Sequence, residues 1–521
     1  MKAIYRIGID VGGTNTDAVI LDGTTVVDWH KVVTTRDVSS GIREALVGVL
    51  QKAKLPGNQI CAVMVGTTHF TNALVERRGL AEVCVIRASL PAGDCLPPLF
   101  GWPPDLKRAI GDHVFVVHGG HEFNGRILSP LDLTELDKVA EELRHRAIQT
   151  VAITATWSPV DGSAERSIAA HLQSRIPELR VSLSSEIGGI GLIERENGAV
   201  LNASLALLAE RVVGGLNTVV SDAGIEAPLW ITQNDGTLVP ADWVVKYPAS
   251  VLGSGPTNSM RGAAFISGQK DAIVVDIGGT TTDAGLIRHG FPQQATMAMD
   301  VAGVRTNFRM PDVSSIGIGG GSLVSLEKPV SVGPESVGYR LTKDALVFGG
   351  NQLTATDIAV AAGIAVVGTP ERVGGLPRAA VDEAMIVIRR RIEAVIDQAK
   401  VVSGDLPVVL VGGGAILVDG TLEGATEVIR HRHGIVANAI GAAMAQVSGN
   451  VDRVFSLAGV NRESVLAQVV VEAQEKALAL GAVPDTLRVV NLEEIPLGEQ
   501  IDAVRVRAKV IGDLSLDQGR D

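Results

Sequence analysis

Two short stretches of this sequence carry the residue types that phosphate chemistry needs. Asp10-Val11-Gly12-Gly13-Thr14-Asn15 and Asp276-Ile277-Gly278-Gly279-Thr280-Thr281 repeat one order of carboxylate, paired glycines and hydroxyl. Each closes on a second aspartate, Asp17 or Asp283. Adjacent glycines can take positive φ, so successive amide N–H groups can point into one concavity that suits an anion. Thr14 and Thr280 add hydroxyl donors at its rim. Asp10 and Asp276 would repel a phosphate unless a cation stood between them. Mg2+ meets that need, because it keeps several waters and is commonly held by one or two carboxylates plus phosphate oxygens. Two such turns facing each other across a cleft would grip one polyphosphate, here ATP, from both sides. Asp10 and Asp276 are thus assigned the catalytic and metal-holding roles. Gly12, Gly13, Thr14, Asn15 and Asp17 are assigned to cofactor binding, with Gly278, Gly279, Thr280, Thr281 and Asp283. Asp17 and Asp283 either orient the hydroxyls and metal waters or cap the strands.

A third stretch, Gly412-Gly413-Gly414 in VVLVGGGA, follows an apolar strand and would let backbone lie against a base or ribose.

The elements that must position these groups can be read from periodicity. Each turn joins two β-branched runs, IYRIGID to AVIL and AIVVDI to AGLI, which predicts a hairpin. Helical spacing over Val38–Ala53, a strand at Ala62–Gly66, a helix over Phe70–Arg77 and the strand EVCVIR follow. A second alternating unit begins after Ser129-Pro130, with helices around Leu131–Arg144 and Asp161–Gln173 and strands TVAITAT and RVSLSS. Pro91–Pro104 reads as a long loop and Asn197–Val219 as a lobe-connecting helix. Helices dominate Thr356–Lys400, and a small-residue helix is predicted over Ala437–Gln446. The tail carries a helix over Arg462–Leu480 and strands LRVVNLEEI and AVRVRAKVI. The expected fold is α/β, with two similar lobes built on parallel or mixed sheets covered by helices. The expected units are residues 1–185 (first lobe with an α/β insertion), 186–450 (second lobe) and 451–521 (a small α+β cap).

Composition removes other classes. A formal charge of −12 and no Lys/Arg-rich run exclude the basic stripe that nucleic acid requires. Aromatics at 3% leave no stacking platform. The three cysteines, Cys61, Cys84 and Cys95, form no C-x-x-C pair and read as buried thiols in a reducing compartment. Apolar runs such as VVLV stop short of the ~18 residues that span a bilayer, and Arg6 and Asp10 interrupt any signal core. A cytoplasmic protein with no membrane partner is expected. His118, His121 and Glu122 lack the spacing of a zinc helix and read as structural. Glu194 and Arg195 read as an exposed ion pair.

The paired turns, the later glycine loop and the connecting helix resemble the actin, sugar-kinase and chaperone ATPase superfamily, which implies duplicated ribonuclease-H-like (actin-like ATPase) lobes around a central ATP cleft. Within it the chain resembles the A-type subunit of the hydantoinase/oxoprolinase family over most of its length. The resemblance is carried by IGIDVGGTNTDAV, GTTHFTNALVERRG (Gly66–Gly79), SSEIGGIGLIERENGAVLNASL (Ser184–Leu205), GSGPTNSMRGAA (Gly253–Ala264), VVDIGGTTTDAGLI, IGIGGGSLV (Ile316–Val324) and VGPES (Val332–Ser336). It implies ATP-dependent phosphorylation of the carbonyl oxygen of a cyclic amide, such as a hydantoin, 5-oxoproline or a related lactam, followed by ring opening. It also implies a separate B-type or other partner subunit, and an oligomer is expected. Thr67, Thr68 and Asn72, with Gly319 and Gly320, become candidate substrate contacts on this ground. The alternative for Thr67 and Thr68 is an ST-turn and helix cap. Two features depart from the family pattern. Ser314 stands where relatives often carry a histidine, and VGYRLTKDALVFGG replaces a Pro-Gly-Pro-Ala-Cys-Tyr stretch after VGPES. The alternatives are a partner-remodelling or reactivating ATPase, a small-molecule kinase, or an ATP-dependent carboxylase subunit.

Overall fold

The computed structural model describes residues 4–34, 38–93, 95–295, 298–401, 404–457, 461–497 and 503–516. Strands β1 (Tyr5–Val11) and β2 (Asn15–Asp22) form the first predicted hairpin, and β3 (Thr25–Val33) extends it. The helix Val38–Ala53 crosses over, and β4 (Ile60–Thr67) returns parallel to β1. β1, β2 and β4 are buried almost throughout. Their runs are continuously apolar rather than alternating because both faces of the sheet are covered.

The chain then leaves this sheet for an inserted one. Strands β5 (Val83–Leu90), β6 (His113–His118), β7 (Thr150–Ala155) and β8 (Arg180–Leu183) run parallel in the order β6-β5-β7-β8. The long helix Leu192–Asp222 brings the chain back, and β9 (Leu229–Thr232) and β10 (Leu238–Pro240) complete the first sheet as β10-β9-β4-β1-β2-β3. Residues beyond 186 therefore belong to the first sheet. An insertion separates a lobe's early strands from its late ones, so the expected boundary at 185/186 does not separate the sheets.

The second sheet repeats the plan. β11 (Ala272–Ile277) and β12 (Thr282–Arg288) form the second hairpin. β13 (Phe291–Pro292) pairs with the outer edge of β12, and β14 (Met299–Val301) and β15 (Val304–Thr306) form a small ribbon. β16 (Val313–Ile316) pairs with β12 as β3 does with β2. A ribbon of β17 (Ser322–Ser325) and β18 (Ser331–Ser336) follows, then the helix Arg378–Ala399. β19 (Leu406–Val411) and β20 (Ala425–Arg430) complete the order β13-β12-β11-β19-β20, parallel from β11 onward. Each lobe is thus ribonuclease-H-like, with the second hairpin strand running against the parallel set, and in the first lobe the short edge strand β10 running antiparallel to β9. Finally β21 (Gln446–Ser456), β22 (Arg488–Pro496) and β23 (Ala503–Asp513) form an antiparallel sheet, β21-β23-β22, backed by the helix Arg462–Ala479. β21 starts ahead of the expected boundary at 451.

Three expectations change. The small-residue helix ends at Ala442 instead of reaching Gln446, because Gln446 already pairs with Asp513 in the C-terminal sheet. Cys84 is buried, but Cys61 is half-buried and Cys95 exposed. The helix Leu192–Asp222 is long and apolar enough to cross a membrane by length and composition, and 61% of its apolar window is buried inside the protein. Its inner face packs into the first-lobe core with Ile9, Val65 and Phe70.

Candidate active site

The hairpin ladders set the geometry first. Asp10 lies directly opposite Asp17, and Asp276 directly opposite Asp283, so each pair of carboxylates projects from one face of its sheet. Asp10 and Asp17 are buried, whereas Asp276 and Asp283 are half-buried at the rim. Burial pushes the Asp10 carboxyl up to about 7, against hydrogen bonds from Asn258 and Asn438, and with repulsion from Asp17 and Asp276 adding to it. Burial also raises Asp17, which Lys31 opposes from 2.6 Å. Asp276 is raised by burial, with the nearby polar groups of Ser259 and Asn438 opposing it. Asp283 is pushed up to about 6 by burial, opposed by Ser315 and reinforced by Asp276. Carboxylates from both lobes therefore share one field. Concentrated negative charge of this kind is relieved by a proton or a cation.

The two turns close alike. Gly12 N–H donates to Asn15 O at 3.0 Å, and Gly278 N–H to Thr281 O at 2.9 Å. They also face one another: a Cβ built on Gly279 would lie 3.3 Å from Thr14 Oγ1. Nothing stands within 4 Å of a Cβ built on Gly13, so the first turn opens into free space. The structure therefore brings Gly12, Gly13, Thr14 and Asn15 together with Gly278, Gly279, Thr280 and Thr281. Gly412 and Gly414 join them. Gly412 has φ +84, and its Cβ would fall 2.3 Å from Asp276 Oδ1. That of Gly414 would fall 2.7 Å from Gly278 O. Only glycine lets this loop lie on the second turn, and Gly413 between them is unobstructed.

The candidate substrate glycines have a different task. The amide of Gly320 donates to Gly278 O at 3.0 Å, that of Gly321 to Gly279 O at 2.7 Å, and that of Gly319 to Ser322 Oγ at 2.8 Å. The Gly320 and Gly321 amides are spent on buttressing the second turn, while Gly319, its amide held by Ser322, packs so close that a Cβ there would lie 2.5 Å from Thr280 N. Thr67 and Thr68 are committed as well. Thr67 Oγ1 accepts from the His69 N–H, and Thr68 Oγ1 donates to Val11 O at 3.1 Å. Both tether the helix His69–Glu76 to the first turn, and Asn72 stands exposed beside them.

Two helices that sequence reasoning left without a role supply the missing polar partners. Asn258 Nδ2 donates to Asp10 Oδ1 at 3.0 Å from the helix Ser254–Ser267. Asn438, on the helix Ala437–Ala442, is a polar neighbour that lowers both the Asp10 and the Asp276 carboxyl against burial. The helices cross with their backbones nearly touching: a Cβ on Gly441 would lie 1.8 Å from Asn258 O, and one on Gly262 1.9 Å from Ala437 O. Gly66 is required for the same reason, since its Cβ would fall 1.8 Å from Asn258 Nδ2. The only signal in the sequence was the polar Asn-Ser pair inside GSGPTNSMRGAA.

Elsewhere, Glu194 and Arg195 do not pair with each other. Glu194 meets Arg305 at 3.2 Å, while Arg195 is buried and donates to Ala155 O at 2.7 Å and Ser184 Oγ at 2.9 Å. His118 contacts Glu135 at 2.9 Å, and His121 lies 3.6 Å from Asp161. Among the described residues no three His, Cys, Asp or Glu side chains converge on a metal-sized site. A cation among the four aspartates would then be held through waters and phosphate oxygens, in keeping with Mg2+.

Comparison with known proteins agrees with this layout. The chain is 28% identical to the caprolactamase alpha subunit of Pseudomonas jessenii over 70% of this chain and 55% of that one. It is 26% identical to the acetophenone carboxylase gamma subunit of Aromatoleum aromaticum, over 69% and 53%. The chain spans about half the length of the curated relatives it matches. Its fold matches the crystal structure of ATP-dependent caprolactamase from Pseudomonas jessenii with a TM-score of 0.76 at 19% identity, over 98% of this chain and 87% of that one. A nucleotide-free acetone carboxylase structure matches with a TM-score of 0.69 at 17% identity, over 98% and 88%. Residues 6–176 match the hydantoinase/oxoprolinase N-terminal region and residues 195–400 the hydantoinase/oxoprolinase region that follows, so the chain belongs to the hydantoinase/oxoprolinase family.

Proposed function

We propose that this chain binds ATP between its two lobes and transfers the γ-phosphoryl group to the carbonyl oxygen of a cyclic amide, so that water can open the ring. The observation that carries the reading is the pair of glycine turns that face one another, each bearing two aspartates directly opposed across its hairpin. An amide carbonyl is a poor electrophile, and phosphorylating its oxygen turns that oxygen into a leaving group. Overall, one lactam, one ATP and two waters give the amino acid, ADP and phosphate. Phosphoryl transfer asks a protein mainly for positioning and charge neutralisation.

The chain's own groups fit those tasks. The amides and hydroxyls of the two turns hold phosphate oxygens from opposite sides. Asn258 and Asn438 keep Asp10 and Asp276 fixed and partly ionised against burial. Lys31 orients Asp17 behind Asp10. Mg2+, when bound, would neutralise phosphate charge, with Asp10 and Asp276 holding its waters. A separate subunit that completes the ring-opening step belongs to this reading, supported by likeness to the caprolactamase alpha subunit. So does a cytoplasmic location, where ATP is supplied.

A second reading is supported by likeness to the acetophenone carboxylase gamma subunit. In it the phosphorylated oxygen would belong to an enol, and the activated carbon would take up carboxylate. The two readings separate in one assay. ADP release should rise with a lactam, hydantoin or 5-oxoproline in the first, and with a ketone plus bicarbonate in the second. Turnover that ignores every small molecule and rises only with a protein partner would contradict both.

A further inference from the structure

A cavity of about 550 Å³ lies between the first lobe and the C-terminal sheet, away from the paired turns. Its walls come from separate segments: Ser185–Gly189, Gln233–Asp235, Asn307–Arg309 and Asn450–Arg453. The volume falls in the usual range for small-molecule sites. Its chemistry runs against that of the whole chain, whose formal charge is −12.

Arg309, Arg505 and Arg507 all converge on one carboxylate, Asp452, at 3.4, 2.7 and 3.3 Å. Arg507 also reaches Glu493 at 3.5 Å. Three guanidiniums thus meet two carboxylates. Only Arg505 makes a close two-point contact, at 2.7 and 2.8 Å. Arg309 and Arg507 hold Asp452 loosely, line the cavity and keep about a third and a quarter of their side-chain surface open. Asp452 is pushed up by burial, but the Arg505 hydrogen bond and the three guanidiniums hold it below the usual range. It therefore remains an anion and does not consume the surplus. A planar guanidinium with free N–H donors favours a carboxylate as its next partner.

The opposite lip is aromatic, in a chain with few aromatics. Trp243 is 42% exposed, and its ring lies 4.7 Å from that of Tyr247. The Tyr247 hydroxyl is fixed by Glu186 at 2.6 Å. Such a pair offers a face to a ring while the arginines face its charged end. The back wall reaches the site already described. Asn234 Oδ1 accepts from Gly253 N–H at 2.6 Å, and Gly253 caps the helix that carries Asn258 to Asp10.

We propose that this cavity is a binding site for a carboxylate carried on a ring, separate from the phosphate turns. The choice of a cyclic amide as that ring rests on the proposed function; the anion does not.

The test is calorimetric titration of the full chain, without nucleotide, with hydantoin-5-acetate and with 5-methylhydantoin, its uncharged counterpart. The carboxylate should bind at least about tenfold tighter, and Arg309→Gln or Arg507→Gln should reduce that ratio below about twofold. Trp243→Ala, at an exposed position and so safe for folding, should weaken both ligands. Asp276→Asn should leave the ratio unchanged, which separates this site from the nucleotide cleft even if no cyclic amide supports turnover. Equal binding of the two probes, binding of neither, or a ratio that survives both arginine variants would overturn the proposal. With ATP present, consumption of hydantoin-5-acetate marks a substrate. A changed rate on another lactam without its consumption marks an effector.

Discussion

Asn258 Nδ2 donates a 3.0 Å hydrogen bond to Asp10 Oδ1 across 248 positions of sequence, joining the helix Ser254–Ser267 to the first phosphate turn. That bond favours the ionised carboxylate, which burial otherwise opposes. Asn258→Leu removes the donor at nearly constant volume. The Asp10 carboxyl should then titrate above its present value of about 7, so less of it is ionised at neutral pH. The acidic limb of the pH profile of kcat/KM for ATP should move to higher pH, and an unmoved limb would contradict this role.

The raised carboxyls also set a stability trend. Asp10 is pushed up to about 7 and Asp283 to about 6, both above the ordinary aspartate value of 3.8. In the window from about 4 to 7 the folded state therefore binds more protons than the unfolded state. Stability must fall as pH rises through that window. In metal-free, nucleotide-free protein the Tm should drop between pH 5.5 and 7.5. Mg2+ with a nucleotide should raise Tm more at pH 7.5 than at 5.5, because protons compete with the cation. Differential scanning calorimetry at the two pH values reads both trends.

Gly412 tests the contact between the third glycine loop and the second turn. An alanine there meets φ +84 with ψ 162, a region essentially restricted to glycine that costs about 1–3 kcal/mol, and its Cβ would fall 2.3 Å from Asp276 Oδ1. Gly412→Ala should lower Tm and abolish ADP release, whereas Gly413→Ala, with nothing within 4 Å of its Cβ, should be far milder. Equal effects of the two would place the loop elsewhere.

The fully buried pair Arg87–Glu196, at 2.6 Å, joins the inserted sheet to the long helix. Glu196→Ala strands a guanidinium in the core and should cost about 3–5 kcal/mol. Thermal unfolding measures that loss; a change near zero would mean that water reaches Arg87.

How much of this could be read from the sequence follows from how local each feature is. Both hairpins were legible because carboxylate, glycines and hydroxyl are contiguous and repeated in the same order. Asn258 and Asn438 were not, since they reach the carboxylates only where two helices cross at Gly262 and Gly441. Gly319 and Gly320 were candidate substrate contacts, but the Gly320 amide is taken by a carbonyl of the second turn and the Gly319 amide by Ser322 Oγ. Arg195 looked like half of a surface pair, yet its guanidinium is drawn inward by Ala155 O and Ser184. β9 and β10 could not be given to the first lobe by pattern alone, because the inserted sheet separates them from β4.

The central claim is that the two turns form one nucleotide site, with a carboxylate from each lobe. The most direct measurement is steady-state ADP release by the Asp10→Asn and Asp276→Asn variants at saturating Mg-ATP, with folding checked by circular dichroism. Each single change should cut turnover by orders of magnitude, as expected for losing a fixed charge where transition-state charge is balanced. Near-normal turnover in either folded variant would contradict the account.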